Sequence, residues 1–149
     1  MKIENYTDYD GRRVRMILNR VAKGMEVDPV LVRVIFGSSD WIQVPGTYVS
    51  WRMDLGISPA YTGFATNRKF VLIALRFKDE YPMMNTVYRR WGQNPEPWMI
   101  NDWQEALVAA AAHEFQHLRD LDMGRDFHRE VETEWAAFRY WRDWVEGRL

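Results

Sequence analysis

Residues 113–117 of this 149-residue chain read His-Glu-Phe-Gln-His. On a helix, His113 and His117 lie one turn apart and project from the same side. Two neutral imidazoles at that spacing can share one divalent zinc, which puts Glu114 beside a water held on the metal. Zinc acidifies such a water and the glutamate accepts its proton, so the pattern suits metal-assisted hydrolysis. The chain has three histidines, all between positions 113 and 128. A chance match to the pattern arises in roughly a few chains per thousand of this length. The bland alternative is a polar helix face with two ordinary histidines, and helical projection weighs against it. At about 100° per residue, Trp103, Ala106, Leu107, Ala110, Leu118 and Leu121 fall on one side. Glu114 projects into that apolar stripe with His113 and His117 at its edge, while Gln116, Arg119 and Asp122 point away. Carboxylates and imidazoles set against a core need partners.

A catalytic zinc takes three protein ligands and keeps one position for water, so two histidines are not enough. The acidic and imidazole groups that follow are His128, Glu130, Glu132 and Glu134. A second helix is expected from Asp126 to about Val145, with an apolar stripe through Phe127, Val131, Trp135, Phe138 and Val145. Glu134 falls within that stripe and Glu130 at its margin, whereas Glu132 and His128 flank the opposite side. A carboxylate there is costly unless a cation or proton meets it. The helix carrying His117 runs about 9 Å further to Met123, and a returning helix covers the same distance by residues 132–134. Glu134 is therefore the expected third ligand, and Glu130 the next choice.

Other elements must hold these groups. Asp102 reads as an N-cap with Glu105 three residues on, and residues 109–112 are four alanines, which extend a helix and leave room beside it. Met123-Gly124 reads as its stop. Nearer the start, Val14, Ile17, Leu18, Val21 and Met25 repeat at helical spacing, and Gly24 suits the helix end. The basic face made by Arg12, Arg13, Arg20 and Lys23 reads as solvated surface. Residues 30–36 form a β-branched run bounded by Gly37, a buried strand. Residues 48–53 suggest another strand, and residues 60–65 and 70–77 a hairpin or adjacent strands. Residues 60–66 are the segment expected to bind extended substrate by backbone pairing. Residues 78–101 look irregular, a stretch suited to covering a cleft.

The chain is long enough for one cored domain, 1–149. It is 47% hydrophobic and 15% aromatic with eight tryptophans, which marks a folded globular chain. A formal charge of −1 exerts no overall pull toward nucleic acid or membrane. No apolar run reaches transmembrane length, and Met1-Lys2-Ile3-Glu4-Asn5-Tyr6 lacks the apolar core of a secretory signal. With no cysteine there is neither a disulfide nor a thiolate zinc site, and a cytoplasmic location is expected.

His113-Glu114-Phe115-Gln116-His117 together with residues 130–137, Glu-Val-Glu-Thr-Glu-Trp-Ala-Ala, resembles the gluzincin metallopeptidases, the thermolysin-like and minigluzincin group. In that group a glutamate on the next helix completes the zinc site and commonly has a small residue three positions later, as Glu134 has Ala137. A second register resembles the ExEAD form of some members, making Glu130 the ligand and Glu134 its supporting carboxylate. SprT-like proteases, which use a later histidine, would turn to His128; the absence of cysteine excludes their zinc ribbon. Metzincins need glycine and histidine where this chain has Asp120 and Met123.

The resemblance implies an α+β, minimal zincin-like fold. Its parts are an N-terminal helix, a small mixed sheet, the metal helix, and a second helix carrying the third ligand. It implies a Zn2+-dependent peptidase acting on a peptide or protein substrate, with Glu114 as general base. An oxyanion donor is also needed, and Tyr48, Tyr61, Tyr88 and Tyr140 are the tyrosine candidates alongside several arginines. The rival expectation is a binding or regulatory module on the same scaffold, recognising a protein or DNA partner without turnover. The intact Glu114 argues against it, because a purely structural zinc needs no general base.

Overall fold

The computed structural model describes residues 1–37, 70–85, 98–125 and 130–149, the last from residue 132 onward for its side chains. The fold is α+β, and among the described residues it has three helices, a three-stranded parallel sheet and a two-stranded antiparallel pair.

Strand β1 (Lys2–Asn5) leads into helix α1 (Gly11–Met25), which returns the chain to β2 (Leu31–Phe36) beside and parallel to β1. Parallel strands need such a crossover, because a tight turn cannot join them. Strand β3 (Phe70–Leu75) lies on the other side of β2, also parallel, with Leu31 opposite Phe70 and Phe36 opposite Leu75. Among the described residues the order of this sheet is β1-β2-β3, all parallel. The strands expected at 48–53 and 60–66 lie outside the described residues, as does the first half of the expected hairpin.

Helix α1 follows its sequence pattern. Asp10 caps it by accepting from the Arg13 N–H at 2.7 Å, and Val14, Ile17, Leu18, Val21 and Met25 are all buried. Its end does not sit at Gly24. The left-handed residue is Glu26 (φ 56°, ψ 44°), whose N–H returns to the carbonyls of Ala22 and Lys23. Gly24 answers a different need. A Cβ there would stand 2.9 Å from the Tyr140 hydroxyl, so the glycine lets that ring lie against the helix.

The described parts of 78–101, residues 78–85 and 98–101, hold more regular structure than their sequence suggests. A 3-10 turn at Lys78–Glu80 precedes β4 (Met83–Asn85), which pairs antiparallel with β5 (Trp98–Ile100). Three-residue strands are too short to show a period, which is why the pattern is invisible in sequence.

Helix α2 (Trp103–Asp122) starts where expected, with the Asp102 carboxylate accepting from the Glu105 N–H at 2.9 Å. Glu105 accepts in turn from the Asn101 N–H and from Trp141 Nε1, each at 2.9 Å, and so ties the start of α2 to the final helix. Gly124 (φ 69°) turns the chain after α2. Helix α3 (Glu130–Val145) then packs along α2, with Thr133, Ala136 and Ala137 buried in the seam. These small side chains let the two backbones approach. Val145, expected on the apolar stripe, is 51% exposed.

Helix α2 is enclosed on several sides, by α1, β3 and α3. Its burial therefore departs from a single stripe. Phe115 is wholly buried and Gln116, expected in solvent, is 8% exposed, whereas Leu121, expected in the core, is 39% exposed. The core below it joins Leu107, Val108 and Ala111 to the inner residues of α1, β2 and β3.

Candidate metal centre

The chemistry-bearing residues gather where α2, α3, β3 and the β4–β5 pair meet. A cleft of about 390 Å³ opens there, with His113, Glu114 and Glu134 in its lining. Four alanines, Ala106, Ala109, Ala110 and Ala137, keep its helical wall low, and Trp98 and Met83 form the wall opposite. Trp98 is held by its stack on Trp141, with ring centroids 4.6 Å apart. Of the run at 109–112, Ala109 and Ala110 line this cleft, whereas Ala111 and Ala112 are buried in the core.

Glu134 Oε1 lies 3.2 Å from His113 Nδ1. The other ring nitrogen of His113, Nε2, is 4.0 Å from Glu114 Oε1. Glu114 is 7% exposed and His117 is 2% exposed, so both sit deep beside the seam. The imidazole centroids of His113 and His117 are 5.1 Å apart, one ring edge-on to the other. Sequence geometry places the third acidic group level with His117. In the structure Glu134 has passed that level and meets His113, one helical turn further back.

The competing acidic positions fall elsewhere. Glu132 lines a second cleft with Gln116, Arg119 and Arg139, away from His113. Glu130 opens α3, but its side chain lies outside the described residues, as does all of His128.

No family model, curated protein or solved structure matches this chain. The site is therefore judged on its own chemistry.

Among the described residues, no group of three His, Asp or Glu side chains is gathered closely enough to hold one ion. Two of the three expected donors do meet. His113 Nδ1 and Glu134 Oε1 stand at ion-pair distance, 3.2 Å. His117 stays a layer below, outside the cleft lining. Two imidazoles and a carboxylate are the donor types of a hydrolytic zinc site, so the donor set fits the metal in kind.

The cleft lining also holds three polar residues that sequence reasoning did not single out, Arg76, Tyr81 and Asn85. The Tyr81 hydroxyl accepts from the Arg76 backbone N–H at 3.2 Å, and the Tyr9 hydroxyl donates to the Arg76 carbonyl at 2.6 Å. Arg76 follows directly on the end of β3, and that position is the one sequence signal that could have marked it. Tyr81 lies in a segment without period and carries no such signal. Of the four tyrosines expected as oxyanion donors, Tyr48, Tyr61 and Tyr88 lie outside the described residues. Tyr140 rests against Gly24 of α1 and is absent from the cleft lining.

Burial pushes the Tyr81 phenol up to about 12, against its ordinary value of 10.0. The neutral phenol is the form the folded chain prefers. Its contribution to stability is complete below pH 10 and is lost as pH rises from about 10 to about 12, where the unfolded chain ionises first. Thermal melts across that window should therefore fall less steeply for Tyr81→Phe than for the wild type. Parallel slopes would show that Tyr81 ionises as freely in the fold as outside it.

Proposed function

We propose that this chain is a zinc-dependent metallopeptidase of zincin-like fold, with His113, His117 and Glu134 as metal donors and Glu114 as general base. The observation that carries the reading is the meeting of His113 Nδ1 and Glu134 Oε1 at 3.2 Å, in a cleft that Glu114 also lines. Zinc bound to such donors supplies a water of near-neutral pKa and polarisation of the scissile carbonyl.

The chain's own residues do the rest. Glu114 takes the proton of the attacking water on its carboxylate and passes it to the leaving amine nitrogen. The alanine wall admits an extended peptide close to α2, and Trp98 and Met83 exclude water from the opposite side. Arg76 and Tyr81 are the cleft's candidates for donating to a developing oxyanion.

One observation favours a second reading. The lack of a three-donor group among the described residues suits a zincin-scaffold binding module that recognises a protein or DNA partner without turnover. No helix among the described residues is long and apolar enough to cross a membrane, so a membrane-spanning role has no support from them.

Metal content separates the readings. Mass spectrometry of the purified wild type, after zinc is resupplied, should find about one zinc per chain, lost in His117→Ala and in Glu134→Ala. Zinc kept in Glu134→Ala but lost in Glu130→Ala or His128→Ala would move the third donor. A metal-free wild type would leave the binding module in front.

A further inference from the structure

We propose a second ligand site in this chain, for a small phosphate monoester, in the cleft between Arg119 and Arg139. That cleft, of about 400 Å³, uses different faces of α2 and α3 from the candidate metal centre and shares no described residue with it. Three guanidinium groups from three segments converge there. Arg119 comes from α2, Arg125 from the turn that follows, and Arg139 from α3. The other described lining residues are Gln116, Glu132 and Trp135, so the lining holds three cations and one carboxylate, with Asp120 beneath Arg125.

The base of the site is built. Asp120 is 0% exposed, and its Oδ1 accepts from Gln116 Nε2 at 3.0 Å and pairs with Arg125 Nε at 3.4 Å. The Arg125 backbone N–H also donates to the Asp120 carbonyl at 2.7 Å. Gln116 and Arg125 are thus held from beneath by a buried charge, and Arg125 neutralises it. The side chains of Arg119 and Arg139 make no salt bridge or hydrogen bond among the described residues. Both act on Tyr140, whose phenol is pushed up by burial and drawn back by these two guanidiniums.

Like charges gathered in a half-enclosed hollow repel, and an anion relieves that repulsion. Guanidinium forks match the oxygen geometry of phosphate and bind it in pairs of hydrogen bonds. The volume lies in the range of about 300–1,000 Å³ usual for small-molecule sites, well beyond a bare phosphate. Trp135 supplies a flat apolar wall for a planar substituent. An arginine pair for the phosphate and an indole for its substituent define a monoester with an aromatic group.

Titration calorimetry on the full chain, with inorganic phosphate and with phenyl phosphate as probes, tests this. Both should bind, phenyl phosphate about tenfold tighter, and Arg119→Gln or Arg139→Gln should each weaken both by about tenfold or more. Arg12→Gln on α1 should change neither, and Trp135→Leu should erase only the preference for phenyl phosphate. Circular dichroism checks that each variant is folded. No binding of either probe, or binding that survives both arginine substitutions, overturns the site. Equal affinity for the two probes overturns the ester and leaves inorganic phosphate as occupant. Because the two clefts have no described residue in common, these results stand whatever the outcome at the metal centre.

Discussion

Glu114→Gln should lower kcat/KM for peptide hydrolysis by about 10²–10⁴-fold while zinc stays at the wild-type level. Glutamine keeps the size and shape of the side chain but its amide cannot accept the proton. Glu114 is 7% exposed, so the substitution removes a buried charge and creates no cavity. It is not one of the proposed donors, so metal content should not follow activity. The measurement pairs mass-spectrometric zinc with initial rates on a fluorogenic peptide set. Unchanged rates would exclude Glu114 as the base, and lost zinc would show that it helps to hold the metal. The same pairing separates the rival reading, because a binding module has no rate to lose.

Phe115→Ala should destabilise the fold by about 3–5 kcal/mol, the cost of deleting a buried aromatic side chain and leaving a cavity. Phe115 stands first among the largest wholly buried side chains. Against a total of about 5–15 kcal/mol the loss is large, and a midpoint drop of roughly 10–20 °C is expected. Leu121→Ala is the contrast, within about 0.5 kcal/mol of wild type, because Leu121 is 39% exposed near the end of α2. Urea denaturation of the two variants side by side reads the difference directly. A simple projection of α2 predicts the opposite ranking, since Leu121 lies on its apolar stripe and Phe115 does not. Equal costs would mean that α2 is covered on one side only.

That contrast shows where sequence patterns lose their force. Helix α1 is legible because one side meets the core and the other meets water. Its five expected apolar positions are all buried. Caps are legible for a related reason: Asp102 accepts from the Glu105 N–H and Glu105 from the Asn101 N–H, both within one turn, a local matter. Strand β2 shows in its β-branched run. Helix α2 is different, because α1, the sheet and α3 surround it, and an enclosed helix has no single wet side to mark its period. Gln116 then reads as surface and is buried, its amide bonded to the equally buried Asp120.

The sequence by itself determined the α+β class, the apolar face of α1, the core of β2, the start and stop of α2, and His113, Glu114 and His117 on one helix. Only the tertiary structure decided the short strands β1, β4 and β5, which carry too few residues for a period and exist through their partners. It also brings Glu134, among the described acidic residues of α3, to His113. The choice among Glu132, Glu134 and their neighbours depends on how far α3 has returned and how it is rotated in the seam. Thr133, Ala136 and Ala137 set that rotation by packing on α2, which sends Glu134 to His113 and Glu132 to the arginine cleft. Spacing along the chain is a local property, whereas the partner of a side chain across a helix seam is set by long-range packing.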